Sequence, residues 1–166
     1  GKFFENQSLN NNPNLQRNTA YKQKDFIQKF NFKIFKTARL ILNFQFSESS
    51  NINRFDKLSE KNEDGTLKFA EWYYGPQKRS FLSSKLSFQA KKLFDRADII
   101  FAFQKIDESR NKRKFGSNLL NIQDENLNVF SINSDFFKRI DRQKSIAYGF
   151  ELTNNQLNSN GFESMI

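Results

Sequence analysis

Arg54, Arg110, Arg113 and Lys114 are the side chains of this sequence best suited to recognising a ligand. Guanidinium and ammonium groups donate charge-assisted hydrogen bonds to carboxylates and phosphates. Three of them lie in the densest cationic patch, Arg110-Asn111-Lys112-Arg113-Lys114. The neighbouring carboxylates Asp107–Glu108 and Asp124–Glu125 could hold a cation or act as acid and base. Solvated loop charge is the simpler expectation for both, with Arg110 and Glu108 paired along a strand wall. The chain has no His and no Cys. That removes the commonest general base, thiolate chemistry and the usual zinc ligands. The six Gly are scattered, so no phosphate-cradling loop is present. No catalytic residue, no metal site and no cofactor is expected, and the chain does not read as an enzyme.

The elements that must hold these cations show in the hydropathy pattern. Between Phe26 and Phe46, Phe26, Phe30, Phe32, Ile34, Ala38, Leu40, Leu42, Phe44 and Phe46 occupy even positions. Only Gln28 and Lys36 interrupt them. Lys29, Asn31, Lys33, Thr37, Arg39, Asn43, Gln45 and Ser47 occupy odd ones, with Ile27, Phe35 and Ile41 as exceptions. A period of two is the mark of extended chain, whose side chains alternate between faces. The run is too long for one ordinary strand. It predicts two strands, over 22–35 and 38–49, joined near residue 36. Each is about the ten residues that a tilted strand needs to cross a bilayer.

The composition admits that reading. The mean hydropathy is −0.77 and no apolar run could form a transmembrane helix. Alternation halves apolarity, so a membrane β-barrel escapes a hydropathy window. Twenty-one Phe stand against one Met and one Trp. AT-rich coding would inflate Phe, Asn, Lys and Ile together, but it cannot create the alternation. The formal charge of +9 raises nucleic acid or an anionic surface as partners, although no run of five like charges occurs. The start at Gly1 follows no leader-like pattern and predicts a processed terminus or an internal piece.

Further along, the Asn-rich residues 1–20, with Pro13, read as loop, as do 50–67 with their Asp64-Gly65 turn. Trp72-Tyr73-Tyr74-Gly75-Pro76 suits either a strand stopping at a lipid–water interface or an aromatic core cluster. Leu82, Leu86, Phe88 and Ala90 alternate with Ser83, Lys85, Ser87 and Gln89. A helix over 82–101 competes on spacing, but Ser83-Ser84 and Ile99-Ile100 favour strands. After a connection at 91–96, Ala97, Ile99, Phe101 and Phe103 open a fourth strand. Residues 111–125 are expected to be a long loop, 127–137 a fifth strand and 141–144 a tight turn. Ile146, Tyr148, Phe150 and Leu152 mark a sixth strand, and 154–161 a polar tail. Short and long connections then alternate, as in outer-membrane barrels with short periplasmic turns and long extracellular loops.

Several stretches also resemble a known family. They are Asn43-Phe44-Gln45-Phe46-Ser47-Glu48-Ser49-Ser50-Asn51-Ile52-Asn53-Arg54-Phe55-Asp56-Lys57-Leu58 and Leu67-Lys68-Phe69-Ala70-Glu71-Trp72-Tyr73-Tyr74-Gly75-Pro76-Gln77-Lys78-Arg79. A third series runs from Asp107-Glu108-Ser109-Arg110 and Arg113-Lys114-Phe115-Gly116 through Val129-Phe130-Ser131-Ile132-Asn133-Ser134-Asp135-Phe136 to Tyr148-Gly149 and Asn158-Ser159. In order and spacing these resemble the barrel of TonB-dependent outer-membrane receptors of the Bacteroidetes type.

The resemblance implies an all-β, antiparallel transmembrane barrel segment of about six strands. Residues 1–166 would be a partial barrel domain, without the plug domain or the family's terminal Phe. It further implies import of a scarce nutrient, an iron–siderophore complex or haem, powered by the TonB–ExbB–ExbD complex through the missing plug. Arg54, Arg110, Arg113 and Lys114 would attract the anionic ferric chelate or haem propionates. Phe30, Phe32, Leu40, Leu42, Phe44, Phe46, Leu86, Phe88, Phe101, Phe103, Tyr148 and Phe150 would face outer-membrane lipid. Nucleic acid is not expected as a partner on this reading. The alternative from residue chemistry is a soluble basic β-domain that binds nucleic acid.

Overall fold

A computed structural model describes residues 14, 16, 18–90 and 92–166. Most of the loop expected over 1–20, Pro13 included, lies outside the described residues, as does Lys91. The chain forms β1 (Gln23–Phe35), β2 (Ala38–Ser49), β3 (Ile52–Asn53), a one-turn α1 (Phe55–Leu58) and β4 (Phe69–Tyr74). It continues through β5 (Lys78–Phe88), β6 (Arg96–Lys114), β7 (Leu119–Arg139) and β8 (Ser145–Met165). Every described pairing is antiparallel, in one open sheet. The helix competing for 82–101 does not form.

β4 and β5 behave as one strand. Tyr74 faces Arg110 and Lys78 faces Asp107 along the same edge of β6. The break falls at Gly75-Pro76. Gly75 has φ +135, and a Cβ there would lie 2.8 Å from Asn51 Cα, so only glycine fits. Its N–H donates to the Ser109 carbonyl at 3.0 Å, and the Ser109 hydroxyl donates back to the Gly75 carbonyl. Six columns of strand therefore stand side by side: β1, β2, β4 with β5, β6, β7 and β8.

The registers settle which residues share a face, because directly opposed residues point the same way. One row reads Phe30, Leu42, Ser84, Phe101, Ile132, Leu152. The next reads Phe32, Leu40, Leu86, Ile99, Ser134, Phe150. All the positions expected to face lipid, from Phe30 to Phe150, lie on this single apolar face. The other face carries rows such as Lys29, Asn43, Ser83, Ala102, Ser131, Thr153.

At the short-turn end of the band, Phe88, Ala97, Phe136 and Tyr148 form one row. Phe94 folds back from the β5–β6 connection and packs against Phe88 (5.2 Å between ring centres) and Phe136 (5.5 Å). Phe136 stacks on Tyr148 at 5.1 Å. Ala97 is wholly buried in this string of rings, and its small side chain makes the room.

Among the described residues the sheet has no second layer. Phe30, Phe32, Phe101, Phe103 and Phe150 are 43–61% exposed. Among the described residues the only buried apolar side chains are Leu58, Trp72, Ala97 and Leu120. Leu58 and Trp72 belong to a small cluster where α1 rests on β4.

Two expectations need correction. Residues 111–125 are not a long loop, because β6 and β7 pair continuously from Arg96–Phe137 to Arg113–Leu120 around a turn at 115–118. Residues 154–161 are not a tail but part of β8, paired to β7 throughout. Leu157 is the only apolar residue of 154–161, and in 111–125 the beat of Leu120 and Ile122 against Asn121 and Gln123 is too short to stand out among polar neighbours. Strict alternation of short and long connections fails for the same reason. The long connection at 50–68 does exist, and it carries β3 and α1.

Candidate functional site

Beyond the apolar band β6 runs on with β4 on one side and β7 on the other, and its parity sorts the cations. Arg110, Lys112 and Lys114 share the polar face and stand opposite Tyr74, Trp72 and Phe69. Arg113 points to the other face, where it faces Glu71 in register. Its guanidinium donates to Glu71 Oε1 at 2.8 and 2.5 Å and to the Ser117 carbonyl at 3.0 Å. Arg113 therefore fastens β4 to β6 and does not join the other three candidates.

Arg54 reaches the polar face from the connection after β3. Its N–H donates to the Trp72 carbonyl at 2.9 Å, continuing the β3–β4 ladder by one residue. The guanidinium lies over the rings of Trp72 (4.9 Å) and Tyr74 (5.6 Å) and donates to Tyr74 Oη at 2.9 Å. It also makes a two-pronged contact with Asp56, at 2.8 and 2.6 Å. That contact holds the Asp56 carboxyl down at about 2 and lifts the Arg54 guanidinium above its usual range.

Arg110 also stands over Tyr74, 5.8 Å from the ring centre. The expected Arg110–Glu108 ion pair is not among the described contacts. Glu108 instead accepts from Gln77 Nε2 at 3.0 Å. The adjacent acids do not act as pairs, because alternation sends neighbours to opposite faces. Asp107 meets Lys105 at 3.4 Å on the apolar side, and Glu125 accepts from Gln123 at 3.2 Å on the other.

Sequence reasoning missed Lys112, which parity places between Arg110 and Lys114. It also missed a groove of about 350 Å³ beside these cations, floored by Gly161 and walled by Lys112, Asn121, Gln123 and Glu163. Among the described residues no group of His, Cys, Asp and Glu could hold a metal ion. What the site can do chemically is bind oxyanions by charge and hydrogen bonding.

Comparison of the chain with models of known protein families, with curated proteins and with solved structures gives no match.

Proposed function

We propose that this chain is part of the barrel wall of an outer-membrane TonB-dependent receptor that binds and imports a scarce nutrient, an iron–siderophore complex or haem. One observation carries the reading: a single-layer sheet whose one face is a continuous apolar band and whose other face is polar. In water such a band leaves several aromatic rings half-exposed, and burying each is worth about 1.5–3 kcal/mol. Summed over the band, that is on the order of the whole stability of a domain. Lipid supplies the missing cover at no ordering cost to the protein. The aromatic string of Phe88, Phe94, Phe136 and Tyr148 suits the lipid–water boundary, where such girdles occur.

In lipid every backbone group must be paired. On this reading β1 and β8 pair with further strands of a barrel closed around the polar face, and a plug domain elsewhere couples it to TonB–ExbB–ExbD. A soluble nucleic-acid-binding domain would need a second layer over the Phe band, and the described residues supply none.

The test exploits the absence of Cys. Single Cys variants at Lys61, in the long connection, and at Arg142, in the turn between β7 and β8, are treated in intact cells with a membrane-impermeant maleimide. Lys61→Cys should label, Arg142→Cys should label only after lysis, and both should sediment with outer membrane. Recovery in the soluble fraction with equal labelling would overturn the proposal. Cells making the protein should also take up radiolabelled ferric chelate or haem only when TonB is energised.

A further inference from the structure

We infer that the polar face of β6 beyond the apolar band binds a small ligand carrying at least two oxyanion groups, held by Arg110 and Lys112 over Gly161. The inference deepens the receptor reading and rests on it for the polar face being the ligand's side.

Arg110, Lys112 and Lys114 follow each other along one face, about 6.8 Å apart at strand rise, and all three are exposed. None makes an ion pair among the described residues, whereas Arg54, Arg113, Lys57, Lys68, Lys78, Lys85, Lys105 and Lys138 each meet a carboxylate. Like charges in a row repel one another, and with Glu163 in the groove but in no described ion pair with them, a bound anion relieves that repulsion.

Arg110 stands over Tyr74, 5.8 Å from the ring centre, and no described ion pair engages its guanidinium, whose donors suit bidentate binding of an oxyanion. Gly161, opposite Gln123 on β8, provides the floor, since an added Cβ there would meet no atom within 4 Å. Asn121 and Gln123 supply amide donors beside the two cations, and Glu163 supplies an acceptor for a ligand hydroxyl.

The same geometry argues against a flat aromatic ligand. Trp72 is buried beneath Arg54, and Arg54 and Arg110 both stand over the Tyr74 ring, so a ring stacked there would compete with these guanidinium groups. The spacing of the cations suits two anionic groups in one molecule. A single phosphate reaches only one of them.

The experiment titrates the full chain, in whichever cell fraction holds it, with labelled tripolyphosphate, tricarballylate and orthophosphate. Location and binding are thereby read separately: a chain found outside the membrane overturns the receptor reading, while the titration alone decides this inference. One or both polyanions should bind at least about ten-fold more tightly than orthophosphate, and which one binds tells phosphate from carboxylate chemistry. Arg110→Gln and Lys112→Gln should each weaken binding about ten-fold or more. Lys144→Gln, in the turn at the other end, should leave it unchanged. Gly161→Leu adds bulk where an added Cβ meets no atom within 4 Å, so it should fold and yet abolish binding. The inference is overturned if the Gln variants and Gly161→Leu bind like the parent, if Lys144→Gln loses as much affinity, or if orthophosphate binds as tightly as both polyanions.

Discussion

Arg54 stands over Trp72, 4.9 Å from the ring centre, while its guanidinium also grips Asp56. One side chain thus clamps the α1 turn to β4 and shields the only Trp of the chain. The clamp is electrostatic at one end and aromatic at the other.

That clamp has a defined acid limit. Asp56 has its carboxyl pKa lowered to about 2 from the ordinary 3.8 by Arg54. A depressed acid pKa means that the contact is complete above the ordinary value and is lost as pH falls through the lowered one. Trp72 fluorescence should therefore be steady down to about pH 4 and change between about pH 4 and 2. Asp56→Asn should remove the step, and a step centred above pH 5 would contradict the assignment.

Glu71 and Arg113 are half-buried partners on facing strands, with a pair distance of 2.5 Å. A double-mutant cycle with Glu71→Gln and Arg113→Gln should give a coupling of about 1 kcal/mol, the upper range for partly exposed pairs. Raised salt should shrink it. A coupling indistinguishable from zero at low salt would mean that the pair only decorates the β4–β6 ladder.

Phe101 and Ala102 are consecutive but face opposite media on the receptor reading. Phe101→Lys should destabilise the membrane-embedded protein by about 2–4 kcal/mol. Ala102→Lys should cost under about 1 kcal/mol, because its side chain meets the polar face. Urea unfolding from lipid vesicles measures both, and equal costs would count against a lipid-facing band.

Gly149 faces Asp135 across β7 and β8. A Cβ at this position would stand 2.2 Å from the Ser134 carbonyl oxygen, so the backbone itself would have to move. Gly149→Val should destabilise the β7–β8 pairing by about 1–3 kcal/mol. Hydrogen exchange at 147–151 should quicken in the variant, and unchanged protection would show that the strands can part without cost.

The strands of the band were legible in the sequence because one face is apolar and the other is not. The bounds of β2 match the expected 38–49, and the apolar members of β5, β6 and β8 fall on the expected sides. Legibility ended where apolar residues become sparse. Asn121, Gln123 and Glu125 on β7 face Glu163, Gly161 and Ser159 on β8, and the apolar beat between them, Leu120 and Ile122, lasts for only two residues. Phe94 looked like part of a connection because its role depends on Ala97 being small, a relation between neighbouring strands. For the candidate site, composition gathered Arg110, Arg113 and Lys114 into one patch. Counting by twos would have exchanged Arg113 for Lys112, the one step that charge density alone does not supply.

A wall one layer thick keeps its information in odd and even numbers. Adding a single residue in β6 just before Phe103 would turn Phe103 to the polar face and Arg110 to the opposite one, along with everything after it. Two added residues would restore every assignment beyond the insertion. Such a chain should accept lengthening in pairs within its strands and any length in the exposed turn at 62–66, so its tolerance of change follows arithmetic more than chemistry.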